Sequence, residues 1–164
     1  MRSDVPIGTS LSGGLDSSTI IATISKLKAT NDSIKTFSAV FPGFEQDESK
    51  HITQISNSFN IENFQVTPSA DELIKTFEKL CYHQEEPFPS SSIFLQYKVF
   101  ERASKQQVKV LLDGQGADEI LGGYHKYIHW HLQQLIGRGK FSQLKNDIKI
   151  FKENNLTFNW GFKT

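Results

Sequence analysis

Between Leu11 and Ser18 the chain reads Leu-Ser-Gly-Gly-Leu-Asp-Ser-Ser, and no other stretch restricts the available folds as strongly. The residues before it, Val5-Pro6-Ile7-Gly8-Thr9-Ser10-Leu11, read as a short strand. Those after it, Thr19 to Leu27, carry apolar residues at helical spacing. A strand that enters a helix through two glycines makes a sharp corner where the backbone can approach a ligand closely. The helix aims its unpaired N–H groups and the positive end of its dipole at that corner, which makes an anion site. Ser12, Ser17 and Ser18 add hydroxyl groups. These features describe a pocket for phosphate or pyrophosphate. Asp16 can cap the helix. Beside a phosphate its carboxylate would repel the ligand unless a metal bridged the two, and both roles are compatible.

Three common loops do not fit. A Walker loop requires Lys-Ser or Lys-Thr after its second glycine, and this corner has no lysine. A dinucleotide fingerprint requires three glycines at Gly-x-Gly-x-x-Gly spacing. A nucleophile elbow requires Gly-x-Ser-x-Gly, and Gly8-Thr9-Ser10-Leu11-Ser12 lacks the last glycine.

Beyond this corner, strand and helix patterns alternate. Ile34 to Phe41 is an apolar, β-branched and aromatic strand ended by Pro42-Gly43. A helix follows from Asp47 to Phe59 behind an acidic start, then a weaker strand from Ile61 to Val66. Pro68-Ser69 opens a helix with Leu73, Ile74, Phe77 and Leu80 as its apolar stripe. Glu85 to Ser92 is a loop whose serines can cap the helix from Ile93 to Lys105, and Phe94, Tyr97 and Phe100 of that helix are expected in the core. Val108 to Leu112 has the run of a buried parallel strand. The expected class is α/β, a mostly parallel sheet with helices on both faces. His125–Leu135 and Phe141–Phe151 read as a helical C-terminal extension. Trp160 and Phe162 are expected to need a covering surface. The expected organisation is a nucleotide-binding domain over 1–124 and a helical part of the same domain over 125–164.

At 164 residues the chain suits one core. Lysine plus arginine balances aspartate plus glutamate, and no basic stripe argues for nucleic acid. Cys81 is the only cysteine, so no internal disulfide forms. No signal peptide pattern and no apolar run near 20 residues occurs, so a cytoplasmic protein without a membrane partner is expected.

A second corner follows the last strand: Asp113-Gly114-Gln115-Gly116-Ala117-Asp118-Glu119, then Gly122-Gly123-Tyr124. Ligands of parallel sheets bind beyond the carboxyl ends of the strands, and both corners leave such ends. They can therefore face one ligand, with Asp118 as a second carboxylate for a magnesium ion contacted by Asp16.

The first corner resembles the Ser-Gly-Gly-x-Asp-Ser loop of the ATP pyrophosphatase (PP-loop) superfamily, and the two corners together resemble, within it, the synthetase domain of glutamine-hydrolysing asparagine synthetases. Ser3 to Ser18 and Leu112 to Tyr124 carry the resemblance, which is vague beyond Tyr124. It implies an adenine nucleotide α-hydrolase-like fold. It also implies an ATP- and magnesium-dependent ligase that adenylates the side-chain carboxylate of aspartate, releases pyrophosphate and transfers ammonia. By the same resemblance Leu11, Ser12, Gly13, Gly14, Leu15, Asp16, Ser17 and Ser18 would hold pyrophosphate and nucleotide. Backbone at Leu11, Ala39 and Val40 would seat the adenine, Asp113 and Gly114 would line the nucleotide, and Asp16 and Asp118 would hold the metal. Gln115 stands where the family typically has a glutamate that helps form or use the adenylate. A glutamine keeps the hydrogen bonds and cannot act as a carboxylate base. β-Lactam synthetases, a related group, place tyrosine there. A glutaminase domain supplying ammonia and a downstream lysine contacting the adenylate are expected outside this chain, and a homodimer is allowed at full length. His125 and His129 have metal-pair spacing, with His131 nearby. His83, Glu85 and Glu86 are candidates for lining a substrate pocket.

Overall fold

The computed structural model describes residues 3–27, 34–45, 47–154 and 156. Trp160 and Phe162 lie outside them. The elements run β1 (Ile7–Ser10), α1 (Leu15–Leu27), β2 (Lys35–Ala39), α2 (Ser49–Phe59), β3 (Glu62–Val66), α3 (Ala70–Gln84), α4 (Ser92–Lys105) and β4 (Val110–Leu112). Three helices follow, α5 (Ala117–Leu121), α6 (His125–Gly137) and α7 (Phe141–Glu153). The four strands form a parallel sheet in the order β3-β2-β1-β4. The chain divides into two compact units, 1–114 with the sheet and α1–α4, and 115–164 with α5–α7.

In the first unit the strands sort their side chains by parity. Phe37 is fully buried and stacks on Phe64 with ring centroids 5.5 Å apart. With Ala39 and Val66 it packs against Val99 and Ala103 of α4. Val40 and Leu11 instead pack with Ile21 of α1 and Ile52 of α2. Helices thus cover both faces, as the alternation of patterns predicts.

Polar side chains cross-link the sheet. Asn63 Nδ2 donates to Thr36 Oγ1 at 2.9 Å and to Ser38 Oγ at 2.8 Å. Ser38 Oγ in turn donates to the Leu11 carbonyl at 2.5 Å. Thr9 Oγ1 donates to the Leu112 carbonyl at 2.8 Å, tying β1 to β4. Thr9, Thr36 and Ser38 are buried, and burying a hydroxyl is tolerated because each has such a partner.

Helix starts differ from their sequence reading where side chains compete for the backbone. α1 begins at Leu15, ahead of Thr19, because its first turn is built from the corner itself. Asp47 stands before α2: its carboxylate accepts from the N–H groups of Phe41 at 3.0 Å and Ser49 at 3.4 Å, and from Ser49 Oγ. The Ser49 hydroxyl, then the Phe41 N–H, hold its carboxyl below the usual carboxylate range. Ser69 and Glu72 form a reciprocal capping box on α3. Before α4 only Ser90 caps, accepting from Ser92 N–H at 3.2 Å; Ser91 makes no side-chain cap.

Burial differs more. Leu80 is buried, whereas Ile74 is 75% and Phe77 49% exposed. Phe94 is buried, Tyr97 half-buried and Phe100 46% exposed, so the expected core stripe of α4 is only partly core. A helical period shows which residues share a face; how far a neighbour covers that face is decided elsewhere. β4 is three residues at the sheet edge with Val110 exposed, not the doubly covered strand that its composition predicts.

In the second unit α6 packs with α7, and Leu132 and Leu135 are buried. His131 Nε2 meets Asp147 Oδ2 at 2.9 Å. Among the described residues no helix is long and apolar enough to cross a membrane.

Two outcomes are expected. Phe37→Ala should lower stability by about 3–5 kcal/mol, read from urea unfolding, because it leaves a cavity under α4. Asp47 stabilises the fold above the ordinary carboxylate range, and that contribution is lost as pH falls through its depressed pKa. The decline of the urea midpoint between neutral and acidic pH should therefore be shallower in Asp47→Ala than in the unmutated chain.

Candidate functional site

The corner after β1 is fixed at its first residue. Leu11 is 1% exposed; its N–H donates to the Phe37 carbonyl at 2.9 Å and its carbonyl accepts from Ser38 Oγ. From there the loop folds on its own serines. Ser12 N–H donates to Ser17 Oγ at 3.3 Å, the two hydroxyl oxygens lie 3.1 Å apart, and Gly14 N–H donates to Ser12 Oγ at 3.3 Å. Ser17 and Ser18 hydroxyls donate to the Gly14 carbonyl at 3.2 and 2.6 Å. The serines that the sequence offers as phosphate donors thus brace the loop.

What this bracing leaves over is backbone. Ser18 N–H donates to the Gly14 carbonyl at 3.1 Å. Among the described residues, none accepts from the N–H of Leu15, Asp16 or Ser17 in the first turn of α1. Such a turn, with its dipole, receives an oxyanion. Gly13 has φ +85°, and a Cβ on it would stand 3.0 Å from His51 Cβ at the start of α2. Only glycine meets both demands without strain.

The corner after β4 closes on this turn. A Cβ on Gly114 would lie 3.2 Å from Asp16 Cβ and 3.6 Å from the Ser17 nitrogen. The backbone of Asp113-Gly114 therefore stands beside Asp16 and the free N–H groups, a contact made inside the first unit between two ends of the sequence. Asp16 is half-buried, and no described residue donates to its carboxylate. Ala39 is half-buried and Val40 buried, where Val40 N–H donates to the Val66 carbonyl at 2.9 Å. The N–H groups of Leu11 and Val40 are thus committed to the sheet, and these residues could meet a base only by carbonyl oxygens or packing.

Gln115, Asp118 and Glu119 belong to the second unit. Gln115 is exposed. The N–H groups of Gly122 and Gly123 both donate to the Asp118 carbonyl at 3.0 Å, so Gly-Gly wraps the end of α5. A Cβ on Gly123 would overlap Asp118 Oδ1, so the second glycine makes room for that carboxylate. Tyr124 Oη donates to Glu119 Oε1 at 2.8 Å, which holds the Glu119 carboxyl below its usual range and raises the Tyr124 hydroxyl. Lys126 Nζ lies 4.5 Å from the Tyr124 ring centroid, 5.7 Å from Tyr127 and 5.6 Å from Trp130. Sequence reasoning missed this cage; the i, i+3 spacings of Tyr124 to Tyr127 and Tyr127 to Trp130, with the i, i+4 spacing of Lys126 to Trp130, were its only signal.

The other candidates stand apart. Among the described residues no cluster of three or more His, Cys, Asp or Glu side chains could hold a metal, His125, His129 and His131 included. The Asp16 carboxylate, to which no described residue donates, is by itself of the kind that magnesium accepts beside phosphate oxygens and water. His83 is exposed and packs on Tyr82 and Tyr97. Glu85 ends α3 with φ +60°, and it and Glu86 are solvated. Cys81 is an exposed free thiol of α3.

The model of the asparagine synthase family matches residues 1–156. The chain belongs to the asparagine synthase family. It is 38% identical over 130 residues to glutamine-hydrolysing asparagine synthetase 1 of Bacillus subtilis, covering 77% of this chain and 20% of that protein. To a provisionally named glutamine-hydrolysing asparagine synthetase 2 of Methanocaldococcus jannaschii it is 35% identical over 136 residues, 83% of this chain and 26% of the other. The amidase chry2 of Gibberella zeae is 27% identical over 139 residues, 77% of this chain and 21% of the other. The chain thus spans about a fifth to a quarter of the length of these two synthetases. The family match runs through α6 and α7, past Tyr124 where the motif resemblance fades.

For this family member, Gly114→Val should weaken ATP or pyrophosphate binding about tenfold or more, the equivalent of one lost charge-assisted hydrogen bond, with the helical circular dichroism retained. Isothermal titration of both chains checks it.

Proposed function

We propose that this chain is the ATP-binding part of an amide-forming ligase of asparagine synthetase type. The observation that carries the reading is the first turn of α1, with three uncommitted N–H groups, closed by Asp113-Gly114 of the β4 corner. It fits a polyphosphate better than any neutral ligand. Family membership and the identities to asparagine synthetases support the choice among phosphate-binding reactions.

In this reading ATP lies with its β- and γ-phosphates on Leu11–Ser18, and Asp113 and Gly114 line the nucleotide. An oxygen of the aspartate side-chain carboxylate attacks the α-phosphorus. The bond from that phosphorus to the bridging oxygen breaks, and pyrophosphate leaves into the loop. The N–H groups of Leu15, Asp16 and Ser17 and the α1 dipole stabilise the charge that develops on it. Asp16 and Asp118 would hold magnesium, which supplies further neutralisation of phosphate charge. Ammonia then attacks the acyl carbon, the carbon–oxygen bond to AMP breaks, and the nitrogen loses a proton to give the amide. No side-chain nucleophile is needed, so the chain's work is alignment and electrostatics. Ammonia would come from a glutaminase domain outside this chain.

Gln115 orients the acyl adenylate by hydrogen bonds rather than by charge. That favours a transfer in which the base is water or the incoming amine. The test is pyrophosphate release from ATP by the full-length protein with aspartate and ammonia. Release stimulated by aspartate is expected, and Asp16→Asn should reduce it about a hundredfold or more by loss of charge stabilisation. ATP binding with no stimulated release would reject the ligase reading.

A further inference from the structure

On the face of the sheet covered by α4, at the β3 edge, lies a cleft of about 240 Å³ that the proposed reaction does not use. Gln65, Val66, Thr67 and Pro68 form one wall, and Glu72 of α3 with Lys98, Glu101, Arg102 and Lys105 of α4 forms the other. Its charges are almost all paired. Lys98 Nζ bridges Glu72 at 3.3 Å and Glu101 at 2.9 Å, and Lys105 reaches Glu101 at 3.4 Å. The Glu101 and Glu72 carboxyls are held below their usual range, chiefly by Lys98 and by the Ser69 N–H respectively. Both acids of the cleft are thereby committed.

Arg102 is the remainder. Among the described residues no carboxylate pairs with it. Its guanidinium sits 5.4 Å from the Phe64 ring centroid, and its Nε is buried with no acceptor. A buried donor without a partner is costly, more so on a charged group. Three cations against two carboxylates leave one positive charge in a walled space that admits a small molecule. The Phe64 ring lies beside the guanidinium, whose planar fork suits two oxygens of a carboxylate or phosphate.

We infer that this cleft is a second ligand site, which takes a small oxyanion on Arg102. It is separate from the loop that is proposed to take pyrophosphate, so either can fail alone.

The test is a titration of the isotope-labelled chain with inorganic phosphate and, separately, with succinate, followed by nuclear magnetic resonance. Amides of Gln65 and Thr67 and the Arg102 Nε–H are expected to move with saturation. Gly13 and Gly14 report the other site in the same spectra. Arg102→Gln should weaken the response at Gln65 and Thr67 about tenfold or more, leaving Gly13 and Gly14 as they were. Arg102→Lys keeps the charge without the fork and should retain part of the affinity, which guards against a variant that merely misfolds. Response to phosphate alone or to succinate alone supports the site and names the anion class. No movement at Gln65 and Thr67 with either anion, or movement unchanged in Arg102→Gln, overturns the inference.

Discussion

The position of Leu11 governs the site. Its N–H is tied to β2 through Phe37, its carbonyl is tied to Ser38, and its side chain fills the space between α1 and α2. The chain cannot leave β1 by any other route without breaking buried hydrogen bonds. Everything after it follows: the serine bracing of Ser12 to Ser18, the direction of α1, and the uncommitted N–H groups at its first turn. The polar ladder Asn63–Thr36–Ser38 transmits the same constraint across β3 and β2. An interior that looks imperfect for a hydrophobic core therefore has a use, since directed hydrogen bonds locate the ligand corner more sharply than apolar packing could.

The two units bring different chemistry. The first offers backbone donors and the carboxylate of Asp16, to which no described residue donates. The second offers Asp118 with its glycine-cleared space, and a tyrosine–glutamate–lysine assembly formed by Tyr124, Glu119 and Lys126. In the proposed ligase the leaving group needs fixed dipoles, and the first turn of α1 offers them. The cleft at Arg102 lies within the first unit and draws on α3, α4 and the end of β3, elements that the corner does not use.

Much of this was legible beforehand because its signals are local. The strand–glycine–helix corner, the alternation of strand and helix, the helix start at Pro68-Ser69 and the two helices after Tyr124 each depend on neighbours within a few residues. Burial was less legible. Ile74, Phe77 and Phe100 sit on correct helical faces, yet remain exposed, because coverage is set by elements distant in sequence. The edge position of β4 is a fact of strand order, which no property of Val110-Leu111-Leu112 encodes. Lys126 was invisible as a member of a cage because its significance lies in three rings rather than in any motif.

The sequence by itself determined the chemistry on offer: a glycine-rich corner, a helix behind it, an aspartate at its start, and a second glycine and carboxylate corner after the last strand. The tertiary structure alone decided which groups stay unspent. Serines that read as ligand donors turn inward to the Gly14 carbonyl, the N–H groups of Leu11 and Val40 are consumed by the sheet, and Arg102 is left without an acid. The reason is that a hydrogen-bonding group is available only after every nearby partner has been counted, and those partners come from the whole fold.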